Sequence, residues 1–79
     1  MTSDRMTEGE LCDLARRAFD MGLTQGKSPG SPATSEWVCA TLGIANAPLI
    51  YRASLQSVYR AGWDIGQMQR RFTAPQDRL

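Results

Sequence analysis

The chain has 79 residues, a net charge of +1 and a 42% apolar fraction, values that fit one small folded domain with a thin core and exclude an acidic nucleic-acid mimic. No run approaches a membrane span. Histidine is absent, which removes histidine-based triads, the usual general base near neutral pH and the commonest metal ligand.

The first element is announced by Thr7, Glu8, Gly9 and Glu10, a capping box in which hydroxyl and carboxylate each satisfy an orphaned backbone donor, with Met6 and Leu11 as the flanking staple. Leu11, Leu14, Ala15, Ala18 and Gly22 then recur at helical spacing. Phe19 and Met21 widen that face, and Asp13, Arg16, Arg17, Asp20 and Thr24 take the other. This predicts helix 1 over about 8–25. Residues 27–33, KSPGSPA, read as a loop. Thr34 or Ser35 caps a short apolar helix 2 over about 35–43, carrying Trp37, Val38, Ala40, Thr41 and Leu42 and ended by Gly43. Asn46 as cap and Pro48 in the first turn open helix 3, about 48–71. Pro75 falls in a flexible tail, 73–79.

Helix 3 carries an apolar stripe of Tyr51, Ser54, Leu55, Val58, Ala61, Gly62, Ile65, Met68 and Phe72. Small residues also recur at multiples of four: Ala18, Gly22 and Gly26 in helix 1, and Ser54, Gly62 and Gly66 in helix 3. Each helical glycine costs about 1 kcal/mol against alanine, so close backbone approach is the expected compensation. The fold expected is an all-α, compact three-helix domain, with two long helices packed closely and the short apolar helix between them.

The face of helix 3 opposite that stripe holds Arg52, Gln56, Tyr59, Arg60, Trp63, Gln67 and Arg70. Trp, Tyr and Arg are favoured at buried interface centres, so this set is the expected partner-binding face. The competing reading is that Tyr59 and Trp63 pack on the N-terminal arm or on the 27–33 loop, leaving the arginines as a solvated face.

A second corner, Val38 to Tyr51, resembles a helix-turn-helix through its Leu42-Gly43-Ile44 turn, although Pro48 and Leu49 offer base edges little to bond. Arg70, Arg71 and Arg78 form a basic end that suits either the helix dipole or phosphate. Asp4, Glu8, Glu10, Asp13, Asp20, Glu36, Asp64 and Asp77 are scattered, with no pair framed as acid and base, so neither a catalytic nor a metal site is assigned, and no cofactor is called for. Cys12 and Cys39 match no zinc spacing and read as free, buried thiols, with a disulfide as the lesser alternative. With no apolar leader in MTSDRMTEGE, a cytoplasmic protein is expected.

Two segments, one with Arg17, Phe19, Gly22 and Gly26 and one with Tyr59, Gly62 and Trp63, together about half the chain, resemble the ribosome modulation factor family of small ribosome-binding proteins. In that family an aromatic-and-glycine helix is joined to a helix with a Gly-Trp pair, matched here by Gly62 and Trp63. The chain departs by inserting the Thr34 to Gly43 helix and by its lower basic charge. The resemblance implies a short stand-alone helical protein that occludes a site on a large machine.

Residues and resemblance agree on a non-enzymatic, steric inhibitor or modulator whose partner is a protein or ribonucleoprotein complex, such as a CRISPR effector or the ribosome, of the kind phages encode. The alternatives are a dimeric helix-turn-helix regulator that binds nucleic acid directly, and a self-associating accessory or structural subunit. No membrane role is expected.

Overall fold

The computed structural model describes residues 7–73; the Met6 staple, most of the 73–79 tail and Arg78 lie outside them. The described chain is three helices, α1 (Glu8–Gly26), α2 (Ser35–Leu42) and α3 (Leu49–Thr73), without strands.

Each terminus follows from local chemistry. At the start of α1 the Thr7 hydroxyl accepts from Glu10 N–H at 3.1 Å, and the Glu10 carboxylate accepts from Thr7 N–H at 2.9 Å, so the capping box is complete. Of the two candidate caps for α2, Thr34 is the one used, accepting from Trp37 N–H at 3.1 Å. Gly43 ends α2 at φ 78°, a left-handed conformation that disfavours any side chain. There Ile44 N–H donates to Cys39 O and Gly43 N–H to Ala40 O, the two bonds of a Schellman motif, with Ile44 and Cys39 both buried as the motif's apolar contact.

The start of α3 differs from expectation. Ala47 N–H closes a turn on Ile44 O, and the Pro48 carbonyl accepts from Tyr51 and Arg52, so the helix begins at Leu49 and exposed Asn46 is a turn residue. At its other end α3 runs to Thr73, with Arg70 and Arg71 placed favourably for the dipole.

Helices α1 and α3 pack along their length in parallel. Phe19 meets Gly62, Gly22 meets Tyr59 and Trp63, Leu23 meets Gly66, and Gly26 meets Trp63 and Gly66. A parallel pair needs a connection that returns the chain to its starting end, and residues 27–48, with α2 inside them, supply it. The glycines are what permit the approach. A Cβ at Gly22 would lie 2.7 Å from Trp63 N and closer still to Tyr59 O, and one at Gly66 would lie 2.9 Å from Gly26 Cα. Backbone rests on backbone here, and neither side can step aside.

The core is Ala18 of α1, Val38, Cys39 and Leu42 of α2, Ile44 of the turn, and Leu55 and Tyr59 of α3. Leu14, Ala15, Met21, Ala33, Ala47, Val58 and Trp63 pack around it. On α1 the expected division of faces holds, with Asp13, Arg16, Arg17, Asp20 and Thr24 exposed. Cys39 is a buried free thiol, whereas Cys12, also free, is exposed, which corrects its assignment to the interior.

The larger correction concerns α3. Its inward face is Leu55, Tyr59, Gly62 and Gly66, while Ser54, Ala61, Ile65, Met68 and Phe72 of the expected core stripe are exposed. The helix is turned so that its glycines, not its largest aliphatic side chains, meet α1. Van der Waals contact between backbones and the bulk of Tyr59 outweigh the burial of Ile65 and Met68, which a neighbouring helix could reach only by giving up the glycine contact.

Candidate functional site

The residues expected on the partner-binding face fall into two groups. Tyr59 is fully buried. Its hydroxyl donates to Gln25 Oε1 and accepts from Ala33 N–H at 2.9 Å, tying α1, the 27–33 loop and α3 together. Tyr59 therefore packs on the 27–33 loop and does not face a partner. Gln67 is also structural: its side-chain amide donates to Gly26 O at 2.7 Å and satisfies a carbonyl that the end of α1 leaves open. Arg52 is half-buried and donates through Nε to Ala47 O at 2.8 Å, bracing the turn before α3. Gln56 is half-buried, and its Oε1 is the one buried side-chain oxygen without a hydrogen bond among the described residues.

Arg60, Trp63 and Arg70 form the second group. Trp63 packs one side on the core but keeps part of its surface open. The Arg60 guanidinium lies over its ring, 5.1 Å from the centroid, and Arg60 Nε also donates to Asp64 Oδ1 at 3.2 Å. Arg70 is exposed, with Arg71 beside it, on the turns of α3 that run past the end of α1. Arg60, Trp63, Arg70 and Arg71 thus follow one another along an open side of α3, from which Tyr59 and Gln67 are withdrawn by their bonds to the loop and to α1.

The charge is polarised between the two long helices. Helix α1 carries Glu8, Glu10, Asp13 and Asp20 against Arg16 and Arg17, whereas α3 carries Arg52, Arg60, Arg70 and Arg71 against Asp64 alone. An overall charge near zero hides an acidic helix lying beside a basic one, and the field that a partner meets depends on the side it approaches.

The exposed apolar side of α3 was absent from the expected site. Ile50 is 70% exposed, Ile65 39%, Met68 51% and Phe72 67%. The signal that could have revealed it was the pairing of Gly22 and Gly26 with Gly62 and Gly66, which fixes the inward face and leaves these side chains outside.

The helix-turn-helix corner departs from its pattern. Its turn spans residues 43–48, longer than the three or four residues usual for the motif. Leu49 and Ile50 are the exposed residues at the start of α3, and neither can bond a base edge. A groove between α1 and the end of α2 is lined by Glu10, Asp13, Leu14, Arg17 and Ile44, and no cluster of three metal-ligating side chains occurs among the described residues. No described helix is long and apolar enough to cross a membrane.

No family model, curated protein or solved structure matches the chain.

Proposed function

We propose that the chain is a small non-enzymatic binding protein that inhibits or modulates a large nucleoprotein assembly by occupying one of its sites, with the Arg60, Trp63, Arg70 and Arg71 edge of α3 as the contact surface. The observation that carries this reading is the arginine stacked over a part-exposed tryptophan on the basic helix, with two further arginines at its free end. Guanidinium groups bond phosphate and also pack on aromatic and apolar surfaces, so such an edge suits a surface made of both RNA and protein. The resemblance of the Gly22 and Gly62-Trp63 segments to ribosome modulation factors points to the same class of target. A cytoplasmic location follows from that target.

The glycine contact contributes by holding α3 rigidly, so that the edge is already ordered before binding. Steric occlusion asks nothing further of the chain: no acid–base pair and no cofactor.

The test is co-sedimentation with bacterial ribonucleoprotein particles on a density gradient, comparing wild type with Arg70→Glu/Arg71→Glu. The wild type is expected in the particle fractions and the variant, folded by circular dichroism, at the top of the gradient. Wild-type binding should also weaken with salt, with a log–log slope of about −2 for two or three phosphate contacts. Wild type that stays at the top, or that binds naked duplex DNA equally well, contradicts the proposal; the second result favours the nucleic-acid-binding regulator.

A further inference from the structure

The outward side of α3 carries an apolar line that the proposed function does not use; the Arg60 and Arg71 flank beside it is shared with the proposed contact edge. Ile50, Ser54, Ser57, Ala61, Ile65, Met68 and Phe72 are all exposed and lie along one line of the helix, at successive steps of 4, 3, 4, 4, 3 and 4 residues. These steps follow an 11-residue repeat, close enough to the period of a straight α-helix that the line does not drift around it.

The order of steps reads the same in both directions, with Ala61 at its centre. If a second α3 is laid against the first in the opposite direction about a two-fold axis at Ala61, Ile50 meets Phe72, Ser54 meets Met68 and Ser57 meets Ile65 of the other copy. A small residue faces a large one at both inner pairs, and Ala61 at the axis lets the helices approach.

Charge agrees with shape. Arg60 and Asp64 lie on one flank of this line and bond to each other within the helix. The two-fold operation brings each Arg60 about 3 Å along the helix axis, at 1.5 Å per residue, from the Asp64 of the second copy and equally far from its Arg60, so two attractive pairs stand against one repulsive pair. Arg71, on the same flank, comes opposite Ala53, so no like charges are set against each other there.

The area also suffices. With the exposures of Ile50, Ile65, Met68 and Phe72, the line offers at most roughly 600 Å² per copy, hence up to about 1,200 Å² in total, which reaches the lower edge of the range for stable interfaces.

We propose that α3 pairs with α3 of a second copy of this chain, antiparallel about Ala61, through this outward face. The result is an isologous homodimer that leaves both Trp63 and Arg70 edges at its surface.

Sedimentation equilibrium from about 1 µM to 1 mM tests this on four proteins. Wild type should dimerise with a dissociation constant in the micromolar range. Met68→Ser should weaken the dimer tenfold or more, and Ser54→Met/Met68→Ser should restore it, because the swap preserves the large-to-small match only in this register. Arg60→Asp should weaken it similarly, by placing two carboxylates together. A wild type that stays monomeric to 1 mM overturns the proposal and leaves the face to a different protein. A dimer indifferent to Met68→Ser, or one that the swap fails to restore, overturns the face or the register.

Discussion

The outer side of α3 carries more large apolar side chains than the inner side, yet it is the inner side that is buried. The inner side presents Leu55, Tyr59, Gly62 and Gly66 and is buried; the outer side presents Ile50, Ile65, Met68 and Phe72 and stays exposed. Hydrophobicity alone does not choose the buried face of a helix. The choice here goes to the face whose missing side chains let a second backbone come into contact, because many close contacts between rigid groups add up where a few protruding side chains would hold the helices apart.

Substitutions on the inner side should show the largest effects. Gly22→Ala and Gly62→Ala each add one methyl group against backbone that cannot move. Each is expected to cost about 3 kcal/mol in chemical denaturation, against the gain of about 1 kcal/mol that leaving glycine gives an ordinary helix. Tyr59→Phe keeps the ring but strands Ala33 N–H and Gln25, and should cost about 2 kcal/mol. Gln67→Ala opens the carbonyl of Gly26 and should lower stability by about 1 kcal/mol. In Gln56→Met the unbonded amide oxygen is removed, so the midpoint of unfolding should hold or rise by up to about 1 kcal/mol. On the outer side Met68→Gln, measured at low micromolar concentration or below, should stay within about 0.5 kcal/mol of wild type. If Met68→Gln instead matched Tyr59→Phe in cost, the division between the two sides would not hold.

Much of the fold was legible in the residues. Thr7 with Glu10, Thr34 and Gly43 are local signals whose chemistry needs no partner, and each acts where the sequence places it. The three helices and the close approach of α1 and α3 also followed, the latter from glycines too costly to keep in a helix without a contact. The rotation of α3 did not follow. Periodicity marks Ile65 and Met68 as one face with Leu55 and Gly62, because a stripe drawn at three- and four-residue steps is wide enough to include both sides of the true boundary. Deciding between them needs the register of Gly22 against Gly62, a pairing across 40 residues that no local pattern contains.

The candidate site suffered from the same rotation. Tyr59 and Gln67 belong by spacing with Arg60 and Trp63, yet their polar ends reach the 27–33 loop, Gln25 and the last carbonyl of α1. Tyrosine and glutamine serve equally as interface residues and as ties between buried backbones, and only the position of the neighbouring helix separates the two uses. Arg60 and Trp63 stayed legible because a guanidinium group over a ring at three-residue spacing is a contact within one helix.

The measurement that bears most directly on this account is a matched pair of unfolding curves for Ala61→Met and Gly62→Met, taken at dilute concentration. The two variants place the same side chain one position apart. Glycine to methionine improves helix propensity and alanine to methionine slightly lowers it, so propensity alone makes Gly62→Met the more stable variant. The glycine contact predicts the reverse: Ala61→Met unfolds like wild type, and Gly62→Met, driven against Phe19 O, loses its cooperative transition. A stable Gly62→Met beside an unfolded Ala61→Met would mean that the aliphatic side of α3 faces inward.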